Sequence, residues 1–553
     1  MLILEAGNIK KYYGDRLIIG FEELKIYSGD KIGIVGLNGS GKTTLLNILS
    51  KETEPDEGFV KQYCDIMYIR QFSDEPVEAE PRVLKEFSLQ DIKHQEKFSG
   101  GERTRIKIAN AFSRENVLLL ADEPTSNLDD KGVELLKKRL SRVDSFLLIS
   151  HDRYLLDSLC NRILEVRDGK LRLFSGNYSF YKEQTGLEFQ RAGQEYENYI
   201  AEKTHLEAAI TDRRGKSKSV RKAPKRMGNS EARLHRRSAT EKQEKLNNAV
   251  NSLKTRLEKL EVKEKPKEQP GIKLDFSLTN PPENKIVISA EDLSFSYGLN
   301  MILDKVRFKV YNGLKTAIRG NNGAGKTTLL NLIYRESGAR NGGNVRDVQD
   351  VWSGSIYIVP RARIGYFHQD FENLDYDKSV LENVTDGCVQ SPSVVRTILA
   401  RLLIAGDDVF KKVGVLSGGE RIKVSFAKLF VSGANVLLLD EPTNYLDMAS
   451  IEALQEVLTD YEGTVLFVSH DRAFTDAVAD RLLILENHKI SEFEGSFREY
   501  NLSRQKQPME KKDETERIML QMRMAEIVSR LSRPDADKEA LEAEYRDLAR
   551  RLK

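Results

Sequence analysis

The chain of 553 residues carries 87 Lys and Arg against 85 Asp and Glu, a formal net charge of +2, with 40% hydrophobic and 31% charged residues. That length holds two to four ordinary domains, and the near-zero balance excludes both a histone-like basic chain and an acidic solvating one, so polyanion-binding charge must be local. Three cysteines, Cys64, Cys160 and Cys388, stand far apart without a CxxC or Cys/His cluster; this supports neither a disulfide framework nor a structural zinc and points to a reducing compartment, the cytoplasm. The longest apolar runs are of the size of VLLLA at 117–121, far short of the ~20 residues that span a bilayer, and no signal-like start is visible, so a soluble protein is expected.

Taken in chain order, Tyr13-Gly14 precedes KIGIVG at 31–36, an apolar strand that runs into Gly36-Leu37-Asn38-Gly39-Ser40-Gly41-Lys42-Thr43 and then Thr44 and a segment with helical spacing. This fits GxxxxGK[ST]. Glycines let backbone amides curl around phosphate oxygens, the helix N-terminus adds partial positive charge, Lys42 neutralises outer phosphates and the Thr43 hydroxyl reaches Mg²⁺. Downstream come Gln71 in MYIRQF, Ser99-Gly100-Gly101-Glu102, the run VLLLADE ending in Asp122-Glu123, Asp129, and His151 in SHDR. A continuous apolar run closed by two carboxylates predicts a central buried strand with acids at its carboxyl end, where open α/β sheets bind ligands. One carboxylate suits Mg²⁺ and the other suits orienting a water nucleophile.

The whole set then returns. Tyr297-Gly298, Gly320-Asn321-Asn322-Gly323-Ala324-Gly325-Lys326-Thr327 with Thr328, Gln369, Ser417-Gly418-Gly419-Glu420, Asp440-Glu441, Asp447 and His470 repeat the same order. The loop lysines lie 284 residues apart and the later aspartates 318, so the second copy carries 34 more residues, placed between its phosphate loop and its SGGE segment. Alternating strand and helix patterns predict α/β cassettes at 1–188 and 285–502, a linker at about 189–272 and a tail at 503–553.

In the linker, Leu246, Val250, Leu253, Leu257 and Leu260 step by 4, 3, 4 and 3, and Tyr196, Tyr199, Lys203, Leu206 and Ile210 fit the same seam. Two helices pairing as an antiparallel hairpin are expected, with arms of some twenty-odd residues reaching roughly 30–35 Å. Between the arms, residues 213–237 hold Arg213, Arg214, Lys216, Lys218, Arg221, Lys222, Lys225, Arg226, Arg233, Arg236 and Arg237 against Glu231 alone, a local charge of +10. Such concentration suits phosphate contacts to RNA, and with no Phe, Tyr or Trp in it, base stacking is not expected. In the tail, Leu520, Met524, Ile527 and Leu531, a turn at Arg533-Pro534-Asp535, and Leu541, Tyr545, Leu548 and Leu552 predict a second, smaller helical hairpin.

A phosphate loop accompanied by SGGE resembles the ATP-binding-cassette superfamily. The resemblance implies two P-loop NTPase domains that sandwich two ATP molecules with Mg²⁺, Lys42 sharing one nucleotide with Ser417 and Lys326 the other with Ser99. It further implies Glu123 and Glu441 as bases for water, and His151 and His470 as switch residues at the γ-phosphate. Thr43, Gln71, Asp122, Thr327, Gln369 and Asp440 would serve the metal, and Tyr13 and Tyr297 would stack on adenine. Two cassettes joined by a long charged helical linker resemble the ABC-F class. The short interval from Gln71 to Ser99 and the tail most resemble its antibiotic-resistance, ribosome-protection group of Vga and Vml type. That likeness implies a monomer whose cassettes pair within one chain, acting on the 70S ribosome through 23S rRNA and P-site tRNA, with neither membrane nor DNA as partner. Two alternatives stay open at this point: a housekeeping ABC-F translation factor, and the ATPase subunit of a drug exporter.

Overall fold

The computed structural model describes residues 1–70, 81–87, 89, 100–112, 118–126, 128–219, 229–263, 275–339, 350–367 and 374–504. The chain divides into two compact units, one of Met1–Leu173 with Gly271–Lys553, the other of Phe174–Pro270.

The first repeat runs β1 (Leu2–Tyr13), β2 (Arg16–Tyr27), β3 (Lys31–Val35), α1 (Lys42–Leu49), β4 (Glu57–Gln62), β5 (Ile66–Ile69), α2 (Pro81–Glu86), α3 (Gly100–Phe112), β6 (Leu118–Asp122), α4 (Asp130–Leu140), β7 (Ser145–Ile149), α5 (Arg153–Leu159), β8 (Arg162–Arg167) and β9 (Lys170–Ser175). Its main sheet has the order β5-β6-β7-β3-β8-β9, with β5, β6, β7, β3 and β8 parallel. Every residue of β6 and β7 is buried, which is why both read as unbroken apolar runs rather than alternating ones. A second sheet, β2-β1-β4, is antiparallel and packs its Ile3, Leu4, Ile9, Ile19, Leu24 and Ile26 with Leu45, Leu46, Ile48 and Leu49 of α1, so the helix behind the phosphate loop sits between two sheets.

After the linker helices α6 (Tyr178–Ser219) and α7 (Asn229–Glu258), the plan recurs in β10 (Ile286–Tyr297), β11 (Asn300–Tyr311), β12 (Lys315–Gly320), α8 (Lys326–Ala339), β13 (Asp350–Ile358), β14 (Ile364–Phe367), α9 (Val380–Thr385), α10 (Pro392–Arg401), α11 (Gly418–Val431), β15 (Val436–Asp440), α12 (Met448–Asp460), β16 (Thr464–Val468), α13 (Arg472–Val478), β17 (Arg481–Glu486) and β18 (Lys489–Glu494). The sheet orders match the first repeat strand for strand: β14-β15-β16-β12-β17-β18 and β11-β10-β13. Extra length in this copy includes α10, whose Val395, Ile398 and Leu399 join Val380 and Val384 of α9 and Phe426 and Phe430 of α11 in one apolar core.

In the second unit, the 42 residues of α6 span roughly 63 Å at 1.5 Å per residue. Cross-helix pairs Arg256–Glu202 at 2.9 Å and Lys263–Glu195 at 3.4 Å fix α6 and the chain through α7 as antiparallel neighbours. Leu206, Ile210 and Val250 are buried, while Tyr196, Tyr199, Lys203, Leu246, Leu253, Leu257 and Leu260 are half-buried, the pattern of one narrow seam. The helices are longer than the twenty-odd residues expected, because Lys and Arg propagate a helix well and a single Gly215 does not stop it. Arg213, Arg214, Lys216 and Lys218 therefore lie on the last turns of α6 and positions 233, 236 and 237 lie within α7. Arg221, Lys222, Lys225 and Arg226 fall outside the described residues, as do the tail helices expected beyond 504. Among the described residues, no helix is long and apolar enough to cross a membrane.

Candidate nucleotide sites

Each phosphate loop leaves the central strand of its sheet and ends at a helix start. Gly36 has φ +156° and a methyl there would lie 2.3 Å from the Val166 carbonyl oxygen, so only glycine fits the strand end. Lys42 Nζ donates to the carbonyls of Gly36 at 2.8 Å and Leu37 at 3.0 Å; Lys326 Nζ does the same to Gly320 at 2.9 Å and Asn321 at 3.0 Å. Burial pulls both ammonium groups below their ordinary range, which favours an anionic partner in the loop. Thr43 Oγ1 donates to Asp122 Oδ2 at 2.7 Å. A hydroxyl beside one carboxylate at a phosphate cradle is the donor set that Mg²⁺ takes when most of its other ligands are phosphate oxygens and water, so these residues fit the ion. In the second repeat, Thr327 and Thr328 face the cleft described below, and Asp440 closes β15. Thr44 follows Thr43 in the first turn of α1.

The glutamates after the two strands share an unusual backbone. Glu123 has φ 50° and Glu441 φ 48°, a left-handed conformation costing a non-glycine residue roughly 1–2 kcal/mol. It is held by Glu123 N–H donating to Ile149 O at 2.9 Å and Glu441 N–H to Val468 O at 3.0 Å. The reversal turns each carboxylate back toward a histidine: His151 Nε2 lies 3.0 Å from Glu123 Oε1, and His470 Nε2 lies 3.5 Å from Glu441 Oε1. Burial raises both glutamates to about 7 and lowers the histidines to about 4 and about 3. Near neutrality, without nucleotide, each pair is then poised between carboxylic acid and carboxylate beside a neutral imidazole.

The histidines are aimed by the residues around them. Asp152 Oδ1 accepts the Leu155 amide at 3.0 Å and Asp471 Oδ1 the Phe474 amide at 2.9 Å, capping α5 and α13 immediately after each histidine. In SGGE, the glutamate has a structural task in the second copy: Ser417 caps α11 in a capping box whose Glu420 accepts the Ser417 amide at 2.8 Å. Gly100 opens α3 at the corresponding place. Ser99, Gln71 and Gln369 lie outside the described residues. Tyr13 and Tyr297 end β1 and β10, 55% and 50% exposed, and the Tyr297 ring stands edge-on to Phe295 at 4.9 Å.

The two cassettes meet loop to loop. Asp447 uses Oδ1 to accept the Ser450 amide at 2.8 Å, capping α12, and Oδ2 to accept the amide of Asn38 in the opposite phosphate loop at 2.7 Å. Asp129 repeats this, accepting Gly132 N at 3.0 Å and Asn322 N at 3.4 Å. A methyl on Gly419 would lie 2.9 Å from Asn38 Nδ2, so the second signature approaches the first phosphate loop without a side chain. A cleft of about 720 Å³ brings Gly101 and Arg105 of α3 together with Tyr297, Asn322, Gly323, Gly325 and Lys326, and reaches Glu123, Glu441, His151 and His470. Lys42, Ser40 and Gly41 stay on the first loop; Ala324 and Gly418 complete the second loop and signature. Sequence reading missed Arg319, Asp130 and Arg472, which form ion pairs across the same junction; the available signal was that Val35 and Met448 stand at the matching places of the other copy.

Two P-loop cassettes with signature helices facing phosphate loops define an ATP-binding-cassette NTPase pair. The "ABC transporter" family profile matches residues 22–82, 77–126 and 303–444. The chain is 33% identical over 514 residues to "Erythromycin resistance ATP-binding protein MsrA" of Staphylococcus epidermidis, covering 88% of this chain and 98% of that protein. It is 29% identical to "Ribosome protection protein VmlR" of Bacillus subtilis (strain 168), over 100% of this chain and 98% of that one. Among solved structures, "RNase-L Inhibitor" matches with TM-score 0.56 at 20% identity, covering 89% of this chain and 91% of that chain. The chain belongs to the ABC-F family of ATP-binding-cassette ATPases.

Proposed function

We propose that this protein is an ATP-driven ribosome-protection factor acting in the cytoplasm. Similarity to VmlR over 100% of this chain and to MsrA over 88% of it carries the reading; the helical hairpin and its local charge of +10 support it. The ATP-bound form enters the exit site of the 70S ribosome and directs the hairpin tip toward the peptidyl-transferase centre. There it contacts 23S rRNA, shifts P-site tRNA and displaces pleuromutilins, lincosamides or streptogramins A. The basic residues of 213–237 make the phosphate contacts.

Two composite sites drive the cycle. ATP with Mg²⁺ supplies the phosphoanhydride that water cleaves. Lys42 and Lys326 would neutralise its outer phosphates, and Thr43 with Asp122 and Thr327 with Asp440 would hold the ion, with Gln71 and Gln369 as further proposed ligands. Glu123 and Glu441, as carboxylates, orient the water and accept its proton, while His151 and His470 hold the glutamates and the γ-phosphate in line. Ser417 with Gly418 and Gly419 covers the nucleotide on Lys42, and Ser99 with Gly100 and Gly101 the one on Lys326.

The test is sedimentation of the Glu123→Gln/Glu441→Gln variant with 70S ribosomes and ATP, paired with drug susceptibility of cells expressing the parent. Co-sedimentation and a raised inhibitory concentration are expected. Ribosome binding without any protection would turn the reading toward a housekeeping translation factor. Fractionation with membranes, without ribosome binding, would turn it toward an exporter ATPase.

A further inference from the structure

The two cassette junctions share one frame that a single pair of residues breaks. In that frame, Arg472 NH1 meets Glu134 Oε1 at 2.6 Å, and at the matching place Arg153 NH2 meets Glu452 Oε1 at 3.6 Å. Next to it, on one side only of the repeat, stands Arg319, the last residue before Gly320 of the second phosphate loop, with Asp130 directly after Asp129 of the first cassette. The first copy has Val35 and the second Met448 at these places.

Arg319 is 3% exposed. Its guanidinium lies 4.1 Å from the centre of the Phe497 ring, donates through NH1 to the Ser469 carbonyl at 2.5 Å, and through NH2 to both oxygens of Asp130 at 2.7 Å. Arg472 Nε donates to the same Asp130 at 3.1 Å. Ser469 is the residue before His470, and the His470 amide donates to Glu441 Oε2 at 3.2 Å. A continuous line of contacts therefore runs from Asp130 of the first cassette through Arg319 and the Ser469–His470 peptide to Glu441. A planar, rigid guanidinium is suited to this bridge because it holds a carboxylate on one edge and a carbonyl on another at fixed angles.

We propose that Arg319 is a positioning residue of the Lys326 site, setting His470 and Glu441 according to whether Asp130 of the opposite cassette is in place. The Lys42 site, with Val35 and Met448 at the equivalent places, lacks this bridge. Hydrolysis at the Lys326 site thereby depends on cassette closure through a contact that the other site does without. The inference rests on the two-site reading above.

The experiment uses the full chain carrying Glu123→Gln, in which Glu441 is the remaining catalytic glutamate, and follows one round of ATP hydrolysis with protein in excess at rising concentration, separating nucleotide affinity from rate. Arg319→Val should slow the saturated rate about ten-fold or more, with the half-saturating concentration within about two-fold of the parent. Asp130→Ala should slow it comparably from the other cassette. Arg319→Lys, which keeps a donor for the Ser469 carbonyl and a positive charge for Asp130, should recover part of the rate, and it carries the test if Arg319→Val fails to fold. Parental rates in Arg319→Val or Asp130→Ala, a loss explained wholly by weaker ATP affinity, or no recovery in Arg319→Lys would overturn the proposal. A parent and a wild-type chain that both fail to hydrolyse ATP would instead remove the two-site reading, and the proposal with it.

Discussion

At the scale of single residues, the glutamates after β6 and β15 are where backbone, burial and chemistry coincide. Their left-handed φ values, 50° and 48°, are kept because the amide of each is bonded to the end of a neighbouring strand; strain held in this way is a means of aiming a side chain. Replacing either glutamate by Gln keeps the shape and removes the proposed base. Turnover by the double variant should fall by about two to four orders of magnitude with ATP binding retained, as read by steady-state phosphate release and nucleotide filter binding. The same carboxyls make stability depend on pH. Each is raised from its ordinary value of 4.5 to about 7 by burial, so between those limits the folded chain keeps a proton that the unfolded chain has lost, and stability drains away as pH rises. His151 and His470, lowered from 6.5 to about 4 and about 3, contribute in the opposite direction below about 6.5. Without nucleotide, the double Gln variant should therefore gain thermal stability relative to the parent as pH goes from 5 to 8. A melting difference independent of pH would contradict the buried ionisation.

At the scale of elements, the linker hairpin is held by a thin seam. Among the described residues, Leu206, Ile210 and Val250 are its buried apolar side chains, joined by Ser217 Oγ donating to Asn247 Oδ1 at 2.9 Å. A two-helix arm has little else to lose, so Ile210→Ala should cost about 2 kcal/mol or more, at the lower end of core truncations. Amide exchange should quicken along α6 and α7 while intrinsic ATPase activity stays intact; equal protection in both chains would mean the seam is not what orders the arm. Changing Arg213, Arg214, Lys216 and Lys218 to Gln should weaken ribosome association and flatten its salt dependence, by about one unit of log–log slope for each lost phosphate contact, leaving ATP hydrolysis in isolation unaltered. A salt slope identical to the parent's would assign these charges to solvent.

At the scale of the whole molecule, Asp129 and Asp447 tie each cassette to the phosphate loop of the other. Asp447 caps its own helix with one oxygen and receives the Asn38 amide with the other. Asp447→Ala should cost about 1 kcal/mol through the lost cap and should also slow ATP turnover, because the first phosphate loop keeps only the Asn38 side-chain bond to the Tyr445 carbonyl at 3.0 Å and loses its backbone link to the second cassette. Asp447→Asn should recover the melting temperature. Unaltered turnover in the Ala variant would confine this residue to capping.

Much of this was legible in the sequence because it is written in local patterns. A glycine-rich loop after an apolar strand, acids closing a buried run, serine followed three places later by glutamate, and a 4-3 seam each specify their own backbone from neighbours in the chain. Duplication made them firmer, since β6 with Asp122-Glu123 and β15 with Asp440-Glu441 repeat both pattern and place. The antiparallel sheets of β1 and β10 were less visible, because burial along these two strands alternates irregularly. The left-handed turn at Glu123 and Glu441, the Asn38–Asp447 and Asn322–Asp129 contacts, and the Arg319–Asp130 pair were settled by the tertiary structure alone. Those groups are up to 409 residues apart, and no local periodicity encodes which surface of one folded cassette meets which surface of the other.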